Sequence, residues 1–365
     1  MRRAAVVMLG AALLSCTNQS ASTSSPPPSA APTQAADLRV RLDLLLSEHV
    51  MIVAKESEAA VNHSDQYASY TSLLATNSGD LSAVIGSAFG NTAALQFTLA
   101  WNAQNGYLVD YTIGVVTHND GKAKAAMLAL TASAPQFAQL INAMSRVPLD
   151  QATQLTSQRI ADDKAFIDDV FAANYASYYS HLDGAYAHTS RLGDALATEI
   201  ALKFPDKFPG DAFTPAVDVH VSLDNLLQEH SYLATMATDA AVAGRTVESG
   251  AASSALAGNG AALAAVFAAS ISPAAGSRFT EIWTARDNAL LGYAAGTSGA
   301  KQVLTEKFVT DFTALAHIHR PQLVDQVNAM IKVIDDQRAK SSKTVANDDR
   351  AAATAMQPVA DSIQG

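Results

Sequence analysis

Two stretches of this chain set a carboxylate beside an imidazole at the end of an apolar run: Leu42-Asp43-Leu44-Leu45-Leu46-Ser47-Glu48-His49 and Leu223-Asp224-Asn225-Leu226-Leu227-Gln228-Glu229-His230. A Glu-His pair can ligate a metal, relay a proton or hydrogen-bond into a core, according to what other elements bring to it. The leucines at 42, 45 and 46, and at 223, 226 and 227, precede each histidine at helical spacing, so both rings are expected on the apolar face of a helix. Three readings stay open. One is a structural hydrogen-bond layer in which Asp43 or Glu48 orients the histidine. Another is a ligand or metal site built on His49 and His230 with Glu48, Glu229 or a residue of another helix, for which copper, zinc or iron are the candidate metals. The last is a small apolar or cofactor pocket beside Trp101 and Trp283.

Other polar residues share apolar faces with these histidines. Asn77 falls between Leu74 and Leu81, Asn259 repeats it, and the turn after each tryptophan carries Gln104 or Asn105 in one place and Arg286 or Asp287 in the other. Each core is therefore expected to hold a His, an Asn and a Trp joined in one network, because a buried polar group left without a partner costs about 1–3 kcal/mol. His188 joins this candidate set as the inward partner of His181 or as part of a half-exposed amphipathic helix. His317 and His319 precede Pro321 and suit a helix C-terminus, whereas His63 and His118 lie in polar turns. No H-E-x-x-H, G-x-S-x-G, P-loop or paired E-x-x-H motif occurs, so the chain is not expected to be an enzyme.

The elements that position these residues are helices, and they come twice. Beyond the Glu-His pairs, Leu74, Asn77 and Leu81 match Leu256, Asn259 and Leu263, and Phe97 and Trp101 match Phe279 and Trp283. Leu108 and Tyr111 likewise match Leu290 and Tyr293, and Ile334-Asp335-Asp336 is expected to echo Ala161-Asp162-Asp163. Apolar periodicity predicts helices near 38–62, 66–88, 91–116, 121–145, 148–172 and 174–203, followed by six shorter counterparts. The expected fold is all-α, a tandem duplication of a multi-helix up-and-down bundle, with repeat domains over 37–205 and 218–365 and a Pro-rich linker over 206–217.

The N-terminus reads as an address. Arg2 and Arg3, an apolar run from Ala4 to Leu14, then Ser15 and Cys16 form a signal peptide ending in L-L-S-C, which resembles the bacterial lipobox. Cys16 is the one cysteine of the chain and the expected lipidation site, and residues 16–36 read as a Ser/Thr/Pro/Ala-rich tether. Eleven apolar residues are too few for the roughly 20 that span a bilayer. The expected location is extracytoplasmic, on the membrane through the N-terminal lipid. A formal charge of -10 has the wrong sign for nucleic acid.

The pattern L-x-x-L-L-x-E-H, then L-x-x-N-x-x-x-L, then F-x-x-x-W followed by Val109 to Gly114, and then AYAHTSRLGDALATEIALKFPDKF at 185–208, resembles a poorly characterised group of secreted and lipoprotein bacterial all-helical repeat proteins. Some of its members carry copper-related names. The resemblance implies a histidine three residues after the tryptophan and another on the fifth helix; this chain has Gln104 and Arg286 at the first position and Arg159 near the second. The resulting expectation is a lipid-anchored envelope protein that binds a protein partner or small ligand. The alternative is a metal-binding protein, of copper-handling or ferritin-like kind, that uses the core histidines.

Overall fold

The computed structural model describes residues 33–363 and has no strand among them. The signal sequence and Cys16 lie outside the described residues. The first repeat comprises α1 (Gln34–Val61), α2 (Tyr67–Phe89), α3 (Asn91–Val116), α4 (Asp120–Ser145), α5 (Leu149–Phe171) and α6 (Tyr175–Lys203). The second comprises α7 (Pro215–Val242), α8 (Thr246–Ser270) and α9 (Pro273–Ala294), then a fourth helix interrupted by a π-helical turn: α10 (Ala300–Gln302), the turn Val303–Phe308 and α11 (Val309–Ala316). It ends with α12 (Arg320–Ala339) and a broken sixth helix, α13 (Val345–Thr354) and α14 (Gln357–Ile363). Within each repeat, consecutive long helices pack on each other through short turns, as an up-and-down bundle requires.

Local chemistry sets the helix starts. The Thr33 hydroxyl accepts from Ala36 N at 3.1 Å, so α1 begins at Gln34, ahead of the Asp37 expected from composition, and Ala35 and Ala36 are already buried. Thr214-Pro215 and Ser272-Pro273 open α7 and α9 in the same way, a hydroxyl at the cap and a proline in the first turn where no N–H is needed.

The two repeats share a core. α1 packs on α2, α3, α5, α6 and α7, while α7 packs on α1, α8, α9, α12, α13 and α14. Every residue from Leu45 to Ala59 and from Leu227 to Thr238 is buried. One apolar cluster joins Val50, Met51 and Tyr178 to Leu227, Tyr232, Trp283 and Phe312; a second, within the first repeat, surrounds Phe97, Trp101 and Phe137. Polar groups cross between the repeats as well. Lys55 Nζ lies 2.6 Å from Asp349 Oδ2 and donates to Thr235 Oγ1 at 2.9 Å, and Arg245 NH2 reaches Glu58 Oε1 at 2.8 Å. The linker is pinned to α1 by Arg39, which donates to Ala212 O at 2.9 Å and Asp218 Oδ1 at 2.6 Å and lies 4.2 Å from the Phe213 ring centre.

The late part of the duplication differs from the expected register. Tyr111 and its counterpart Tyr293 donate to Asp168 and Asp335 respectively, so Ile334-Asp335-Asp336 corresponds to Ile167-Asp168-Asp169 and not to residues 161–163. The aspartates at 162 and 163 share the residue types but not the tyrosine partner.

α6 lies close enough to α1 at Gly193 that a Cβ there would sit 2.0 Å from Asp43 Oδ1 and 3.1 Å from Asp43 N, whereas at Gly184 of the same helix nothing lies within 4 Å. Gly193→Ala is therefore expected to lower unfolding free energy by about 1–3 kcal/mol, and Gly184→Ala to raise it by about 0.5–1 kcal/mol. Urea unfolding of both variants checks the pair; equal effects would contradict the packing of α6 on α1.

Candidate functional site

In the second repeat the polar layer closes around His230. Its Nε2–H donates to Asp287 Oδ1 at 3.0 Å. With the proton on Nε2, Nδ1 accepts from the Trp283 Nε1–H at 3.2 Å and stands 2.9 Å from Asn259 Oδ1. Asn259 Nδ2 donates to Leu226 O at 3.1 Å and to Glu229 Oε2 at 2.8 Å. α7, α8 and α9 thus each supply one member, as their shared apolar faces predict.

In the first repeat the expected His/Asn/Trp network is not joined: His49 meets Trp101 as a ring contact at 4.8 Å and hydrogen-bonds to Asn105 in place of Asn77. His49 Nε2–H donates to Asn105 Oδ1 at 2.9 Å, and Asn105 Nδ2 donates to Ser78 Oγ at 3.0 Å. Asn77 Nδ2 donates to Leu45 O and to Glu48 Oε2, both at 2.9 Å. His49 Nδ1, Asn77 Oδ1 and Trp101 Nε1 are buried without hydrogen-bond partners. Burial, and then the charge of Arg159, lower the His49 pKa to about 3, which keeps the ring neutral. The carboxylates do not orient the rings: Glu48 reaches the layer through Asn77, and Asp43 faces Arg39.

Above each tryptophan lies a buried guanidinium, supplied by different helices. Arg159 of α5 sits 4.5 Å from the Trp101 ring and donates to Gln104 Oε1 of α3. Arg286, the residue matching Gln104, sits 4.9 Å from Trp283 and donates to Asp287 Oδ1 at 3.1 Å. The spacing that pairs Asp168 with Asp335 places Gln326 of α12 opposite Arg159, and Gln326 is fully buried. Gln and Arg have exchanged places between the repeats while the cation over the indole is kept.

These surroundings suit a structural layer better than a metal centre. Both nitrogens of His230 have hydrogen-bond partners, and the guanidinium that lowers the His49 pKa would equally repel a metal cation. Among the described residues, the three-member His/carboxylate group with ligand atoms within 4.8 Å of one another is His220, Asp224 and Asp361, which contains neither layer histidine. His220 Nε2 is 3.3 Å from Asp224 Oδ2 and 3.5 Å from Asp361 Oδ1. His220 matches Arg39 of the first repeat, which contacts Asp43 and Asp194 in the corresponding place. His188 stands apart from the layer, half-buried with Nδ1 3.0 Å from Asp162 Oδ2, and the exposed His181 pairs with Asp169 at 2.6 Å. His317 is the left-handed residue that ends α11.

Two clefts adjoin the layers. Beside Trp283 and Asp287 a hollow of about 150 Å³ opens between α8 and α9, lined also by Leu256 and Gly260. The larger, about 550 Å³, lies between α6, α7 and α8, with Tyr179, Asp183, Leu226, Glu229, Leu233 and Asn259 on its walls. Burial and then the charge of Asp183 push the Glu229 carboxyl up to about 8. Its Oε1 is buried without an N–H or hydroxyl donor, and a hydrogen bond shared with Asp183 adds to the upward shift. Glu229 was legible from the repeat, but Asp183 was not, because nothing in sequence marks α6 as the helix that crosses α7.

The exchange of Gln and Arg predicts a coupled pair. Gln104→Arg and Arg159→Gln singly are each expected to cost about 2–4 kcal/mol, from a second buried guanidinium or from loss of the one over Trp101, and the double variant to recover at least about 1.5 kcal/mol of the sum. Additive costs in urea unfolding would refute the coupling. A second expectation concerns pH. The His49 pKa is depressed in the folded state, so its contribution is complete above the unfolded value near 6.5 and is lost as pH falls towards about 3. Glu229, raised in the folded state, acts in the opposite sense, favouring the fold below its unfolded pKa and losing that contribution as pH rises through about 8. The stability difference between wild type and His49→Gln should therefore shift by about 2 kcal/mol against the wild type between pH 7 and pH 5, and a constant difference would mean that His49 does not titrate in this way.

No family model, curated protein or solved structure matches this chain.

Proposed function

We propose that this chain is a lipid-anchored ligand-binding protein of the bacterial envelope, acylated at Cys16, in which the His/Asn/Trp layers are scaffold and the cleft between α6, α7 and α8 is the binding element. The cleft carries the reading: at about 550 Å³ it has the size of small-molecule sites, and it combines an apolar wall with a buried carboxyl oxygen that meets no N–H or hydroxyl donor of the chain. The lipid anchor rests on the signal-like residues that end at Leu13-Leu14-Ser15-Cys16. Binding rather than turnover is favoured because the sequence carries no known catalytic motif.

A metal-handling role is the second reading. It is favoured by His220, Asp224 and Asp361 and not by His49 and His230. In that case one zinc, copper or iron ion per chain should be taken up, lost in His220→Ala and retained in the His49→Ala/His230→Ala double variant.

The test of the first reading is a thermal-shift screen of the full chain against small molecules of varied charge, beside Ala262→Trp, which adds bulk at an exposed cleft-wall position. Ligands that raise the wild-type Tm by about 2–4 °C and leave the variant unmoved support the cleft; a screen without hits, or hits indifferent to Ala262→Trp, sinks it. Labelled palmitate should enter the wild type and not Cys16→Ala.

A further inference from the structure

The two repeats treat matching grooves in opposite ways. Where α13 packs on α2 and α7, Glu48 of α1 is neutralised from within the chain. Arg350 Nε donates to Glu48 Oε1 at 3.1 Å, and its NH2 lies 2.9 Å from Glu48 Oε2 and 2.6 Å from Asp80 Oδ2. The Tyr232 hydroxyl adds a donor to Glu48 Oε1 at 3.0 Å.

In the matching groove, where α6 packs on α8 beside α7, each of these partners has changed. The spacing that pairs Asp168 with Asp335 and Asp194 with Asp361 puts Asp183 opposite Arg350. The repeat correspondence puts Met51 opposite Tyr232 and Ala262 opposite Asp80. Glu229 keeps the asparagine bond that Glu48 has, but it loses both the arginine and the tyrosine, so that its buried Oε1 meets no N–H or hydroxyl donor and its remaining neighbour is a second carboxyl, Asp183, with which it shares a hydrogen bond. The groove now has two carboxyl groups, no cation and about 550 Å³ of room.

We propose that this cleft binds a small organic cation with a primary ammonium or guanidinium group, which occupies on Glu229 and Asp183 the place that Arg350 occupies on Glu48 and Asp80. The proposal deepens the reading of the cleft as a binding site and rests on it. A nitrogen cation on an alkyl stem fits better than a bare metal ion, because Tyr179, Leu226 and Leu233 offer an apolar wall and no imidazole lines the cleft. The chain's own arginine is the template: an aliphatic stem ending in a planar donor group that satisfies two carboxylates at once.

The test is calorimetry on the full-length protein with agmatine, 1,5-diaminopentane and, as a neutral control of similar length, 1-pentanol. Wild type is expected to bind the two cations with Kd below about 1 mM and the alcohol at least about tenfold more weakly. Asp183→Arg should supply the guanidinium from within, as Arg350 does, reducing amine affinity at least about 30-fold while raising Tm; a folded, more stable protein separates this from damage. Ala262→Asp, which restores the counterpart of Asp80, should strengthen amine binding about 3- to 10-fold. Equal binding of the alcohol and the amines, or amine binding unchanged by Asp183→Arg, overturns the assignment. Other small molecules that bind in a manner blocked by Ala262→Trp, with neither amine binding, overturn the cation and keep the cleft as a site; if nothing binds, both fail.

Discussion

A helical stretch enclosed on every side has no wet face, and this fold encloses two of them, residues 45–59 of α1 and 227–238 of α7. α1 and α7 carry Glu48, Lys55, Glu56, Glu58, Glu229 and the histidines His49, His220 and His230 through a shared interior, so these groups depend on counter-charges or hydrogen-bond partners brought by other helices. Surrounding helices are arranged to bring those partners: Tyr70 and Asp349 to Lys55, Thr71 to Glu56, Arg245 to Glu58, Arg350 to Glu48. Several of these pairs cross from one repeat to the other. The interface between the copies is thereby specified by polar matching as well as by apolar area.

Much of this was legible in the sequence wherever periodicity and repetition speak together. The helices, the duplication, the inward direction of His49 and His230 and the company of Asn77, Asn259, Trp101 and Trp283 follow from spacing alone. Hidden from it was everything set by which helix crosses which. Glu48 and Glu229 end the same L-L-x-E-H motif, yet one meets Arg350 of α13 and the other Asp183 of α6, and nothing in that motif says which helix will face it. For His188 the sequence left an inward and a half-exposed place open, and the crossing of α6 with α5 decides for the second, turning that edge towards Asp162.

Duplication turns such differences into internal comparisons. Where both copies keep a function of the fold, the residues trade places, as Gln104 with Arg286 and Arg159 with Gln326 do over the two indoles. Where a copy lacks an internal partner, as at Glu229, the asparagine bond from the neighbouring helix is kept. A divergence of that kind frees one groove of a symmetric pair for other use while its twin continues to hold the two repeats together.

The way the chain enters the fold has a mechanical side. Thr33, the first described residue, packs against Gly210, whose positive φ of +102° lets the backbone come so close that a Cβ would stand 2.3 Å from Thr33 Cβ. One turn further, Arg39 grips the same linker through Ala212 and Asp218 and reaches Asp194 of α6. Tension applied from the N-terminal side would therefore be divided at once among α1, the linker and α6. A load of that kind is borne by several contacts in parallel rather than peeling them one after another, and it reaches both repeats before either begins to open.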